Sequence, residues 1–222
     1  MSEVRTILLN RSVAESLEEE ANELREELKK RKLFVINVMS SPGSGKTTTL
    51  IQLVNLLKDE FKVAIMEADI DSDIDAKRVA KETGVPSIQL HTGGMCHLDA
   101  SMTRQGLEGL EGNFDIIFLE NIGNLVCPAE FDTGASLNMV ILSVPEGSDK
   151  PLKYPLMFEK CDLVVINKID TIEYFDFDYN IVRDFIFKRN KNAKIFKISA
   201  KLGQGVLELK NHLVSLIEAW GK

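Results

Sequence analysis

Seven short apolar runs, at 33–39, 62–67, 87–90, 114–120, 138–144, 162–167 and 194–198, alternate with helical patterns at 46–59, 74–83, 99–111, 150–159, 177–190 and 205–220. Most of these runs are continuously apolar rather than alternating, as strands covered on both faces must be. Strands that alternate with helices close into a parallel sheet, because each parallel pair needs a crossover long enough to hold a helix. The expected fold class is therefore α/β, a mostly parallel central sheet of about seven strands with helices on both faces. Residues 12–32 stand apart from this rhythm. Val13, Leu17, Ala21, Leu24 and Leu28 recur at helical spacing, Glu dominates the first half, and Lys29, Lys30, Arg31 and Lys32 close it, as the helix dipole favours. This predicts an N-terminal helical extension over 1–32, followed by a single domain over 33–222 with no linker to split it.

The first strand leads directly into Ser40-Ser41-Pro42-Gly43-Ser44-Gly45-Lys46-Thr47-Thr48, and a helical pattern starts at Lys46. Glycines let a backbone wrap closely around phosphates, and the amides of 41–48 would point inward at a helix N-terminus. In that arrangement Ser41, Pro42, Gly43, Ser44, Gly45 and Thr48 line the loop, Lys46 reaches the β- and γ-phosphates as the catalytic cation, and the Thr47 hydroxyl ligates Mg²⁺. Strand, loop and helix in this order define a P-loop NTPase domain. One departure stands out: the pattern GxxxxGK[ST] has Gly where this chain has Ser40.

Asn167-Lys168-Ile169-Asp170 closes the sixth run. The Asp170 carboxylate can accept from guanine N1–H and the exocyclic amine, whereas adenine would leave it unpaired, and polar sites reject such analogues strongly. Ser199-Ala200-Lys201, after the last run, supplies a backbone contact for the guanine O6. The nucleotide expected is GTP rather than ATP.

Five acidic residues crowd 67–75: Glu67, Asp69, Asp71, Asp73 and Asp75. Two readings stand side by side. In one, the segment's carboxylates meet Mg²⁺ or position the attacking water, Asp69 and Asp75 foremost, with Asp71 and Asp73 weaker candidates. In the other, the segment is a solvated loop that caps the following helix. Glu120, at the end of the fourth run, stands where a magnesium-associated carboxylate belongs, and the Gly123 N–H can serve the γ-phosphate. Such hydrolysis is mostly positioning and charge stabilisation, so an isolated chain is expected to be slow.

Charge and composition exclude several classes. Lys and Arg total 27 against 34 Asp and Glu, a net charge of −7, which argues against nucleic acid as the partner. No run is long enough to span a membrane, and the N-terminus lacks a signal-peptide pattern. Three cysteines are too few and too odd for a disulfide framework. The expectation is a cytoplasmic protein with three thiols to explain. Cys96-His97 follows a Gly-rich stretch, and Cys127 follows Glu120 closely; thiolate and imidazole suit Ni²⁺ or Zn²⁺. Spacing alone leaves a small-core-residue reading open, and three ligands would need water or a second subunit to complete the shell. Cys161 reads as a buried hydrophobe, and His212 as a surface or packing residue of the last helix.

Together these residues resemble the HypB family, GTPases that help insert nickel into [NiFe]-hydrogenase. The carriers are SSPGSGKT (40–47), TG-x-x-CHLDA (92–100), ENIGNLVCPAEFD (120–132), EGSDKPLKYP (146–155), NKID (167–170) and SAKLGQG (199–205). The resemblance covers essentially all of 33–222 and removes the anomaly at Ser40, where the family commonly has Ser. It implies the signal-recognition/MinD branch of P-loop GTPases and a homodimer that depends on nucleotide and metal. It makes Cys96, His97 and Cys127 nickel or zinc ligands, and brings Lys150 and Lys153 near a partner's nucleotide. It implies a nickel-insertion partner and the hydrogenase large subunit as protein partners. Residues 1–32 hold no Cys and no His, so the N-terminal nickel motif or His-rich tract of some relatives does not carry over. Two rivals remain: an accessory GTPase of the urease or cobalamin type, and a non-catalytic nickel-binding protein with a vestigial nucleotide site.

Overall fold

The strand Phe34–Ser40 (β1) is buried along its whole length, because its alternate side chains feed two different cores. Phe34, Ile36 and Val38 enter one apolar cluster and Val35 the opposite one. The structure is a computed structural model that describes residues 9–69 and 74–222, with side chains from residue 15 onward except 69–76. Among the described residues, six further strands join β1: Val63–Asp69 (β2), Ser87–His91 (β3), Ile116–Glu120 (β4), Leu137–Ser143 (β5), Leu163–Asn167 (β6) and Lys194–Lys197 (β7). They form one sheet in the order β3-β2-β4-β1-β5-β6-β7, with every neighbouring pair parallel. The expected α/β architecture is the one observed.

The helices are Leu9–Lys30 (α1), Lys46–Leu57 (α2), Ile74–Thr83 (α3), Ala100–Gly109 (α4), Cys127–Glu130 (α5), Lys150–Lys153 (α6), Pro155–Lys160 (α7), Tyr179–Arg189 (α8) and Val206–Ala219 (α9). On one face, Leu50, Leu53 and Leu57 of α2 and Leu209 and Leu213 of α9 share a cluster with Phe34, Ile36 and Val38 of β1. On the other, Ala21, Leu24 and Leu28 of α1 share a cluster with Val35, Met66, Leu107 and Leu119. All three of these α1 residues are fully buried, so the stripe that sets α1 apart in sequence is layered onto the sheet; the side chain of Val13 lies outside the described residues. The pattern at 150–159 differs from expectation: it is divided into α6 and α7 at Tyr154, whose backbone (φ −122°, ψ 58°) has left the helical region. Pro155 is the cause, since proline pushes the preceding residue out of that region and opens α7 without a donor. Among the described residues no helix is long and apolar enough to cross a membrane.

All strands point the same way, so the carboxyl ends of β1, β2, β4 and β6 lie along one edge of the sheet. In open parallel sheets this edge is where ligands bind.

Candidate nucleotide and thiol site

Between β1 and α2 the chain turns through Gly43 (φ 75°) and Gly45 (φ 93°), conformations that L side chains rarely adopt. At Gly45 the reason is also spatial. Asn167, at the end of β6, reaches across to donate from Nδ2 to the Ser44 carbonyl at 2.9 Å and accepts the Ala200 amide on Oδ1 at 3.0 Å. Lys168, itself left-handed (φ 61°), donates to the Gly43 carbonyl at 2.6 Å. The three motifs that are far apart in sequence, 40–48, 167–170 and 199–201, are thus tied into one wall, with Asn167 as the knot.

Two adjoining cavities lie along that wall. The larger, about 540 Å³, is lined by Ser41, Pro42, Gly43, Gly45, Lys46, Thr47, Thr48, Glu120, Gly123 and Lys168, together with Glu67 and Arg78. The second, about 380 Å³, shares Gly45, Thr48, Arg78 and Lys168 and adds Asn167, Asp170, Thr171, Ala200 and Lys201. The larger holds the residues expected to take the phosphates, the second those expected to read the base. Ser44, fully buried, keeps a side-chain hydroxyl without a hydrogen-bond partner. Ser199 belongs to the wall through its backbone, its amide donating to the Gln204 carbonyl at 3.0 Å. Within Ser199-Ala200-Lys201, the segment expected to give guanine O6 a backbone contact, the Ala200 amide is engaged by Asn167.

At the phosphate end, Thr47 Oγ1 donates to Glu120 Oε1 at 3.2 Å. The Lys46 ammonium bonds the Asn121 carbonyl and lies 3.6 Å from Glu120 Oε1. A Cβ on Gly123 would sit 3.3 Å from the Pro42 ring, so this glycine lies directly against the phosphate loop. Hydroxyl and carboxylate oxygens side by side are the hard donors magnesium takes, and Thr47 and Glu120 fit that ion. Asp71 and Asp73 lie outside the described residues, as do the side chains of Asp69 and Asp75. Two charged lining residues, Glu67 and Arg78, take no site role of their own from the sequence. Glu67, read from sequence only as one of the five acidic residues at 67–75, stands in register with Glu120 on the neighbouring strand and is buried. Arg78 gave no signal, because its only sequence mark, a glutamate four residues on, is an ordinary helical pair (2.9 Å to Glu82).

The thiols come together on the same sheet edge. Gly93 (φ 63°) and Gly94 (φ 94°) turn the chain after β3, and the Thr92 hydroxyl closes the turn on the Met95 carbonyl at 2.7 Å. Cys96 and His97 follow, pinned by buried Leu98 and by Asp99, which caps α4 through the Met102 amide at 2.9 Å. Cys127 opens α5. Its Sγ lies 2.7 Å from that of Cys96, and both residues are half-buried. The hydrogen bond with Cys127, then burial, hold the Cys96 thiol above its ordinary range. The third expected ligand does not join them. The His97 ring stacks on Phe131, centroids 3.5 Å apart and planes 9° from parallel. Among the described residues no three Cys, His, Asp or Glu side chains converge to hold an ion. Cys161 is fully buried, and burial pushes its thiol up to about 12. Lys153 pairs with Asp149 at 2.5 Å, and Lys150 lies over the Tyr154 ring.

Comparison with known proteins bears on the same residues. The CobW/HypB/UreG nucleotide-binding domain matches 34–197. The hydrogenase maturation factor HypB of Azotobacter chroococcum mcd 1 is 42% identical over 209 residues, covering 94% of this chain and 68% of that protein. The hydrogenase/urease maturation factor HypB of Helicobacter hepaticus is 42% identical over 198 residues, 87% of this chain and 81% of that one. The crystal structure of HypB from Helicobacter pylori in complex with nickel superposes with a TM-score of 0.85 at 41% identity, covering 93% of this chain and 98% of that one. The phosphate loop, the NKID strand end and the paired cysteines thus sit on a fold and a sequence shared with these proteins, and the chain belongs to the HypB family of CobW/HypB/UreG nucleotide-binding domains.

Proposed function

We propose that this chain is a GTP-hydrolysing metallochaperone that binds nickel and delivers it during [NiFe]-hydrogenase maturation. The amides of 41–48 and Lys46 take the triphosphate charge, while Asp170 accepts from guanine N1–H and its amine. Thr47 and Glu120, with Asp69 or Asp75, would hold a magnesium ion, which would supply charge neutralisation at the phosphates. Gly123 offers its N–H to the γ-phosphate and Asp75 orients the attacking water. These groups position and neutralise rather than react covalently, so hydrolysis by the isolated chain is slow.

Nickel is the cargo, held by Cys96 and Cys127. His97 completes the set after leaving Phe131, or a second copy supplies its own thiols across a dimer. Zinc suits the same donors. The observation that carries the coupling is the bond from Lys46 to the Asn121 carbonyl. A γ-phosphate competes for that ammonium, and Asn121 lies six residues (127 − 121) before Cys127. Nucleotide state is thereby felt at the thiols, and with it metal affinity and dimer contact. The experiment is a Ni²⁺ titration of wild type and Cys96→Ala, each with GDP and with a non-hydrolysable GTP analogue. Wild type is expected to differ between nucleotides and the variant to bind weakly with both; identical wild-type affinity in the two states rejects the coupling. Delivery to urease is the second reading, supported by the double name of the Helicobacter hepaticus relative. Co-purification of urease subunits without a hydrogenase partner would favour it.

A further inference from the structure

The two thiols are carried by segments with no covalent reason to keep their spacing, and α1 touches both. Downstream of Cys127, Asp132 receives both its carboxylate oxygens' hydrogen bonds from Arg25 Nη2, each at 2.8 Å. Arg25 Nε donates to the Ala135 carbonyl at 3.1 Å, and Nη1 to Asn22 at 2.7 Å. Between Asp132 and Ala135, Gly134 (φ 69°) lets the loop press onto the helix: a Cβ there would meet Leu24 Cδ2 at 2.8 Å and the Ala21 carbonyl at 3.1 Å. Downstream of Cys96, Arg104 of α4 bonds Glu27. That contact holds the Glu27 carboxyl below its usual range and the Arg104 guanidinium above its own. Arg25 and Glu27 thus hold the two thiol-bearing segments from neighbouring positions of one helix, which is itself anchored by fully buried Ala21, Leu24 and Leu28.

We propose that α1 is a positioning strap for the thiol pair: through Arg25–Asp132 and Glu27–Arg104 it sets the distance between Cys96 and Cys127. The inference rests on the metal-binding reading for its biological use, but the geometry stands independently of any ion. Exposed ion pairs contribute little to stability, so the role is one of placement. A fork of three guanidinium nitrogens on a carboxylate, a carbonyl and an amide oxygen fixes direction as well as contact.

The test compares wild type, Arg25→Glu, Asp132→Arg and the double reversal. The first readout is the rate at which diamide closes the Cys96–Cys127 disulfide in metal-free protein. Both thiols lose their protons, one S–S bond forms, and the azo bond of diamide takes up the two electrons and two protons. Cys161, buried and protonated, stays out of this reaction, and Cys96→Ala gives the background rate. Each single reversal is expected to slow closure and weaken Ni²⁺ binding by roughly tenfold, the usual effect of removing a group that orients ligands. The double reversal restores most of both, while GTP turnover is unchanged throughout. Folded single variants that close and bind at wild-type rates and affinities overturn the strap. If a reversal unfolds the chain, Arg25→Gln, which keeps the stem packed on the helix, takes its place under the same criteria. Failure of the metal reading looks different: wild type then shows no Cys96-dependent Ni²⁺ binding, and the closure rates still decide the strap.

Discussion

A Cβ placed on Gly45 lies 2.4 Å from Asn167 Nδ2, and the backbone there has φ 93°, so a methyl group would both strain the turn and push away the asparagine that ties it to β6 and to Ala200. Gly45→Ala is expected to weaken GTP binding by about 10- to 100-fold, the equivalent of one to a few kcal/mol of strain, as read by calorimetric titration. At the base end the chemistry is separable from the fold. Asp170 is exposed, so Asp170→Asn leaves the structure intact and exchanges an acceptor for a donor. Xanthine carries a carbonyl where guanine carries its amine, so this variant is expected to lose GTP by about 100-fold or more and to gain xanthosine triphosphate. A competition assay with the two nucleotides measures the switch, and unchanged GTP preference would remove Asp170 from the base-reading role.

At the scale of elements, α1 is docked through a narrow stripe, with Ala21, Leu24 and Leu28 fully buried. The spacing of Ala21, Leu24 and Leu28 made its apolar stripe legible. What covered the stripe was not, because β1, β2, β4 and α4 come together there only after the sheet has formed. Leu24→Ala is expected to cost about 3 kcal/mol by opening a cavity between α1, the sheet and Gly134, read as a lower urea midpoint with unchanged slope. A loss below about 1 kcal/mol would mean that α1 is attached only loosely. The same scale accounts for the broken helix at 150–159. Its apolar pattern ran through Tyr154, and the local veto of Pro155 outweighed it.

At the scale of the whole molecule, the sheet edge gathers the nucleotide wall and the thiols, and the two halves of the proposed function meet there. Two thiols from one chain leave a metal short of donors, and in the proposed function a second copy supplies its own. Light scattering is therefore expected to find a larger dimer fraction with Ni²⁺ and a GTP analogue together than with GDP alone, and Cys127→Ser is expected to remove the difference. A monomer under all conditions would leave His97 and water to complete the shell.

The sequence by itself determined the parallel sheet, the loop at 40–48 and the NKID strand end proposed to read the base, since hydrophobic runs, glycine spacing and short motifs are local properties. Only the tertiary structure decided that Asn167 reaches Ser44 and Ala200, that Glu67 and Arg78 line the cleft, and that Cys96 meets Cys127 while His97 stacks on Phe131. Those contacts join residues from different strands and helices, and no periodicity along a chain records which side chains will face each other once the sheet has brought them to one edge.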